Sequence, residues 1–160
     1  MIVVSDTSPL RCLAHLGLLD LLRVLYGQVL VPPAVANELL FAKPQFPAID
    51  VTTLPFVQVQ GPHSQQSVQP HLSLLDAGEA EALALAVEVG ANLVLIDERH
   101  GDAVAKQLGL VTIGTLGVLL RGKTAGHVVV VGPLIDQLQQ GLGFFVSAAL
   151  KAQVLKLAGE

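Results

Sequence analysis

Short apolar stretches alternate along the chain with amphipathic stretches of helical period. We predict strands at residues 2–5, 28–31, 56–59, 93–96 and 110–113. Helical patterns cover residues 8–25, 32–40, 76–89, 102–108, 115–120, 133–142 and 147–157. The first of them is broken at Gly17 into two short helices. Since strands that alternate with helices pair in parallel through right-handed crossovers, the pattern predicts an α/β fold.

The segment of residues 43–75 interrupts this alternation. It holds five prolines and frequent glutamines, and only residues 56–59 within it alternate like a strand. A chain of 160 residues has the length of one ordinary domain. We therefore predict a single domain over residues 1–160 that contains a Pro/Gln-rich irregular segment at 43–75.

The composition is apolar, with 52% hydrophobic and 14% charged residues. Such a balance favours strands buried on both faces or a subunit interface, so we predict a homodimer or higher homo-oligomer.

No stretch reaches the ~18 uninterrupted apolar residues of a membrane span, and the first residues lack the basic region of a signal peptide. We predict a cytoplasmic protein without membrane contact. Cys12 is the only cysteine and is expected in the core.

Two acids follow predicted strands directly. Asp6 follows the first strand and Asp97 follows the fourth. Ligands of open α/β sheets bind outside the carboxyl ends of the strands, so acids from two strands indicate a site for a hard cation. The net charge of −4 argues against a broad basic surface for nucleic acid but does not exclude a nuclease. With nine Lys and Arg residues, any basic footprint must be local.

Four short motifs, in order, resemble those of the PIN-domain superfamily. They lie at residues 5–10, 31–39, 78–82 and 95–98, the last followed by a matching stretch at 105–110. More narrowly, the chain is similar to a PIN-like branch of nucleic-acid-binding proteins that is related to the toxin ribonucleases of toxin-antitoxin pairs. The resemblance implies a three-layer α/β/α sandwich with a central parallel sheet.

The resemblance also implies a function, that of a metal-dependent endoribonuclease. Its site residues, carried over to this chain, are Asp6, Glu38, Glu79 and Asp97, which would hold Mg²⁺ or Mn²⁺ and hydrolyse RNA phosphodiester bonds. Carboxylates suit hard divalent cations, which polarise a phosphate and lower the pKa of water. The implied partners are an RNA substrate and, for a toxin, a small antitoxin protein.

Each acid also has a structural interpretation. Asp6 could satisfy backbone N–H groups at a helix start, and Glu79 fits the position of a capping box. Glu38 lies in an amphipathic helix, where glutamates are usually solvated. Glu81 and Glu88 are seven residues apart on one helix face, and we expect that face to meet solvent.

The sequence departs from the branch after the fourth motif. Gly101 is followed by Asp102, where the branch tends to carry an arginine. Asp102 joins the acids, has a role only within its loop, or weakens substrate binding, and Arg11 and Arg99 are the remaining candidates to meet phosphate. A phosphoaspartate enzyme is disfavoured because Ser8 stands where its second acid would be. A non-catalytic PIN-like module that binds RNA or a protein partner stays as the alternative.

Overall fold

The computed structural model describes residues 1–160 as five strands and eight α-helices, joined by turns and two short 3-10 helices. The strands are β1 (Val3–Ser5), β2 (Val29–Val31), β3 (Val57–Val59), β4 (Leu93–Leu95) and β5 (Thr112–Ile113). The helices are α1 (Thr7–His15), α2 (Asp20–Tyr26), α3 (Pro33–Leu40), α4 (Ala77–Val89), α5 (Arg99–Gln107), α6 (Thr115–Thr124), α7 (Gly132–Leu142) and α8 (Ala148–Leu157). Strands and helices alternate as the hydrophobic pattern predicts.

All five strands are parallel and lie in the order β3-β2-β1-β4-β5. The chain therefore builds outward from β1 to one side through β2 and β3, and to the other side through β4 and β5. Between β1 and β4 the direction of building reverses, which makes a topological switch point. A crevice opens at such a point outside the carboxyl ends of the strands.

Helices cover both faces of the sheet, and each face has its own core. In β1 the side chain of Val3 belongs to a core of 22 buried residues and that of Val4 to a second core of 12. Helices α4 and α5 contribute to the smaller core and the other six to the larger. The three-layer α/β/α fold is thus confirmed, and the central strands β1 and β4 are buried on both faces, as the apolar composition favours. No helix has the length and apolarity that crossing a bilayer requires.

Three stretches differ from the prediction. Helix α6 continues to Thr124 rather than ending at residue 120. Helix α5 begins at Arg99 rather than at residue 102, because the Glu98 side chain accepts a hydrogen bond from the Gly101 N–H at 2.9 Å and caps the helix there. The segment 43–75 is not wholly irregular outside β3, since it forms 3-10 helices at Val51–Thr53 and Gln66–Leu74.

Candidate functional site

A cavity of about 280 Å³ lies at the carboxyl ends of the strands around the switch point. We call it the acid cleft, because five carboxyl-bearing side chains line it: Asp6, Glu38, Asp76, Glu79 and Glu98. Asp97 lines two grooves that adjoin it. Three of the four predicted site residues therefore share one cleft, and the fourth lies at its border.

Asp6 is the most central of these acids. It directly follows β1, is 5% exposed, and its N–H donates to the Leu95 carbonyl at 2.9 Å, which ties the ends of β1 and β4 together. It occupies the N-cap position of α1, yet its side chain makes no capping hydrogen bond. The pKa of Asp6 is raised to about 7, mainly by burial and also by the negative charges of Asp76, Glu38 and Asp97, against the lowering effect of the Thr7 N–H. Its carboxyl group is therefore not consumed by a capping role.

Glu38 joins two helix starts. Its Oε2 accepts a hydrogen bond from Thr7 Oγ1 at 2.6 Å, and its Oε1 accepts one from the Gly78 N–H at 3.1 Å. A Cβ on Gly78 would lie 2.6 Å from Oε1, so the approach of the carboxylate requires glycine there. The interpretation of Glu38 as a solvated helix residue is therefore wrong, and α3 delivers it to the cleft.

Glu79 takes one half of the capping box. The Asp76 side chain accepts a hydrogen bond from the Glu79 N–H at 2.7 Å and caps α4, while the Glu79 carboxyl group lines the acid cleft instead of returning the bond. Glu79 is 5% exposed, and its pKa is raised to about 8, mainly by burial, then by a hydrogen bond with the Asp76 carboxyl group and by the charges of Asp76, Asp6 and Glu98. Because a carboxyl group so placed resists ionisation, the cleft favours a compensating positive charge.

Asp97 is held by hydroxyl and amide donors. Its Oδ1 accepts from the Thr115 N–H at 2.7 Å, and its Oδ2 accepts from Thr115 Oγ1 at 2.7 Å and from Ser8 Oγ at 3.0 Å. Burial raises the pKa of Asp97, and these hydrogen bonds offset part of the rise. A Cβ on Gly114 would lie 2.8 Å from Oδ1. The side chain is thus fixed between the starts of α1 and α6.

Two acids of the cleft were not predicted as site residues. Asp76 and Glu98 are the N-cap residues of α4 and α5, and both line the acid cleft. The sequence does contain a signal for them. A helix that follows a strand of a parallel sheet begins at the carboxyl edge of that sheet, so an acidic N-cap residue there faces the same crevice as the acids at the strand ends.

The solvent-facing interpretation is confirmed for Glu88, which is exposed, and is wrong in part for Glu81, which is half-buried. Glu81 Oε2 accepts a hydrogen bond from the Ala34 N–H at 2.6 Å and satisfies an unpaired donor in the first turn of α3. Glu88 accepts from the His63 N–H at 2.8 Å and lies 2.9 Å from His63 Nδ1. Both glutamates fasten neighbouring segments to α4.

Asp102 does not line the acid cleft. It pairs with Lys106 at 2.7 Å and accepts a hydrogen bond from Thr112 Oγ1, which directs it toward β5. It borders the groove beyond Asp97. The interpretation of Asp102 as a member of the acid cluster is therefore not supported by the geometry.

The donors of the acid cleft match a hard divalent cation in kind. They are carboxylate and hydroxyl oxygens, which Mg²⁺ and Mn²⁺ prefer. Cys12 also borders the cleft, but burial raises its thiol pKa to about 11, so it stays protonated. No group of three or more Asp, Glu, His or Cys side chains is arranged so that it could hold an ion as it stands. Glu38 and Asp97 point their oxygens at protein donors, and joining Asp6 and Glu79 around one ion requires those carboxylates to turn.

A parallel sheet whose switch point opens into a carboxylate-lined cleft defines the class, an α/β protein with an acidic cleft at the carboxyl ends of its strands. The chain matches the model of the family DUF3368, whose description is PIN domain, over residues 2–160. It therefore belongs to the PIN-domain family, as its four motifs imply. A comparison with curated proteins finds no match.

Proposed function

We propose that this protein is a Mg²⁺- or Mn²⁺-dependent endoribonuclease whose site is the acid cleft. Many PIN domains are nucleases, and the family model matches residues 2–160 of this chain. The observation that carries the proposal is the placement of Asp6 and Asp97 at the two strands of the switch point, with Glu38 and Glu79 delivered beside them by α3 and α4.

Asp6, Glu38, Glu79 and Asp97 are the residues that would hold the cation. When bound, such an ion supplies polarisation of the scissile phosphate and lowers the pKa of nearby water. The protein's own part is positioning. Ser8 and Thr115 hold Asp97, and Thr7 with the Gly78 N–H holds Glu38, so that both carboxylates stay beside the cleft, from where they can turn toward the cation.

The competing function is a PIN-like module that binds RNA or a protein without cutting it. The observation in its favour is that both oxygens of Asp97 and both of Glu38 already accept hydrogen bonds from the protein. Carboxylates satisfied in this way need no cation for the stability of the fold.

Metal-dependent cleavage separates the two functions. We expect purified protein to cut single-stranded RNA with Mn²⁺ or Mg²⁺, and EDTA to abolish the cutting. Gel analysis of an end-labelled RNA measures it. Cutting that persists in EDTA would contradict the metal mechanism, and binding of Mn²⁺ and RNA without cutting would favour the non-catalytic module.

Gly78→Ala should separate activity from stability. The new Cβ would displace the Glu38 carboxylate, whose end is flexible, while alanine gains up to ~1 kcal/mol of helix propensity in α4. We therefore expect the free energy of unfolding to change by less than about 1 kcal/mol and cleavage to fall by about tenfold or more. Gly61→Ala is the matched control, because its Cβ would only touch Pro33 at 3.4 Å. Full activity in Gly78→Ala would remove Glu38 from the site.

The biological role that we propose is that of a toxin with a small antitoxin as its partner. This role rests on the likeness to toxin ribonucleases, and a neighbouring reading frame for such an antitoxin would support it. The homo-oligomer stays a prediction, for which light scattering on the purified protein is the measurement.

A further inference from the structure

The exposed aromatic rings of this chain lie beside the acid cleft. Of five phenylalanines, Phe41 is 71% and Phe145 is 82% exposed. Phe41 borders a cavity that it shares with Glu38, and Phe145 borders a groove that it shares with Asp97. Since Glu38 follows β2 and Asp97 follows β4, one ring flanks each side of the central strand β1.

Each exposed ring is accompanied by a cation. Of the nine Lys and Arg residues, four form ion pairs with carboxylates. Three of the other five line the acid cleft or its flanks: Arg11, Lys43 and Arg99. Lys43 shares its cavity with Phe41, and Arg99 shares its groove with Phe145. These three cations form a local basic surface beside the acid cleft, the kind of surface that a chain with few cations can offer to a phosphate backbone.

Arg11 adds a buried donor on the Phe41 side. It is 7% exposed, its Nη2 donates to the Glu38 carbonyl at 2.8 Å, and its guanidinium lies 5.0 Å from the centre of the Phe46 ring. Its Nη1 is buried and has no hydrogen-bond partner. A buried cationic nitrogen without a partner is costly, and an anionic oxygen that reached it would satisfy it.

We propose that the acid cleft is the middle of a track for single-stranded RNA, in which Phe41 with Lys43 and Phe145 with Arg99 each hold one nucleotide. This inference rests on the proposed function and names how that site receives its substrate. A ring next to a cation matches a base next to a phosphate, and bases can stack on side chains only where they are unpaired. The cations flank the carboxylates because the acids themselves repel phosphate.

Binding of RNA tests the track without any need for cleavage. The probe is a short fluorescein-labelled single-stranded RNA, followed by anisotropy in EDTA at low salt. We expect Phe41→Ala and Phe145→Ala each to raise the Kd roughly 5- to 100-fold, the range of one lost base stack. Leu157→Ala is the control, since Leu157 is an apolar side chain that is 68% exposed outside this region. The same RNA annealed into a duplex should bind more weakly, and its Kd should not change with either ring substitution.

The cations have their own readout. Lys43→Gln and Arg99→Gln should each lower the slope of log K against log salt by about one, and Lys156→Gln, which removes an exposed cation elsewhere, serves as the comparison. Unchanged affinity in both ring variants, or no binding of RNA by the wild type, would overturn the track. A change of oligomeric state in Phe145→Ala with RNA affinity intact would overturn it in favour of a protein interface.

The track and the nuclease can fail separately. RNA that binds through the two rings but is not cut with Mn²⁺ would leave the track standing and remove the nuclease. RNA that is cut equally well by the wild type and by both ring variants, with equal affinity, would leave the nuclease standing and remove the track.

Discussion

Asp6→Asn or Asp97→Asn should reduce metal-dependent cleavage of single-stranded RNA by on the order of 100-fold or more while the protein stays folded. Either change keeps the shape of the side chain and removes one negative oxygen from the acid cleft or its border. The measurement is the initial rate of cleavage with Mn²⁺ for the wild type and both variants. Asp20→Asn is the matched control, because Asp20 pairs only with the exposed Arg23.

The two variants should differ in stability. Asp6 is buried among other acids, so an uncharged amide relieves repulsion and the melting temperature should rise. At Asp97 an amide can still accept from the Thr115 N–H, while its NH₂ group faces the hydroxyls of Ser8 and Thr115, which can accept from it. We expect that variant to melt close to the wild type. Variants that are folded and cut as fast as the wild type would contradict the assignment of these acids.

The order of the elements could be predicted from the sequence because parallel strands buried on both faces give short apolar runs. The alternation of core faces in β1 and β4 follows directly from that pattern. Hydrophobic period does not fix where a helix begins, as α5 demonstrates. Its start depends on one hydrogen bond from Gly101 to Glu98, which is a property of side-chain geometry.

The candidate site was predictable in part for the same reason. Acids at the ends of predicted strands can be found from position alone, which places Asp6 and Asp97 at the switch point. Glu38 needed the family resemblance, since nothing in an amphipathic helix tells which polar residue will contact a neighbouring helix start. The hydrogen bond that holds the half-buried Glu38 there, from the Gly78 N–H, joins residues 40 positions apart.

The flanks of the cleft were hardest to predict. Phe41 and Phe145 lie far apart in the chain, and an exposed phenylalanine has no periodic signature. Phe41 lies between Glu38 and Lys43 in the chain itself, whereas only the fold brings Phe145 next to Arg99 and Asp97. Sequence reasoning nevertheless limited the possibilities, because a chain with so few cations can meet phosphate only at a local site.

The metal-free protein should lose stability as the pH rises from about 5 to about 8. The folded-state pKa values of Asp6 and Glu79 lie at about 7 and about 8, above their ordinary values of 3.8 and 4.5. In this window the unfolded chain has already released both protons while the folded chain still binds them, so the unfolding free energy falls with pH. Acids with lowered pKa values, such as Asp102, act below this window, where their stabilisation is lost as the pH falls.

The expected loss is on the order of a few kcal/mol, since each group contributes about 1.4 kcal/mol for every pH unit over which only the folded chain keeps its proton. Urea unfolding in EDTA at pH 5.5 and pH 8 measures it, and Asp6→Asn should reduce the difference between the two pH values while Asp20→Asn should not.

Millimolar Mn²⁺ should raise the melting temperature, and more at pH 8 than at pH 5.5, because a cation binds the ionised carboxylates and competes with their protons. Equal melting temperatures with and without Mn²⁺ at both pH values would contradict a cation site in the acid cleft. Raised pKa values require the unfolding free energy to fall between pH 5.5 and pH 8. A constant unfolding free energy would therefore contradict them, because it would mean that ionising these buried, crowded carboxyl groups costs nothing.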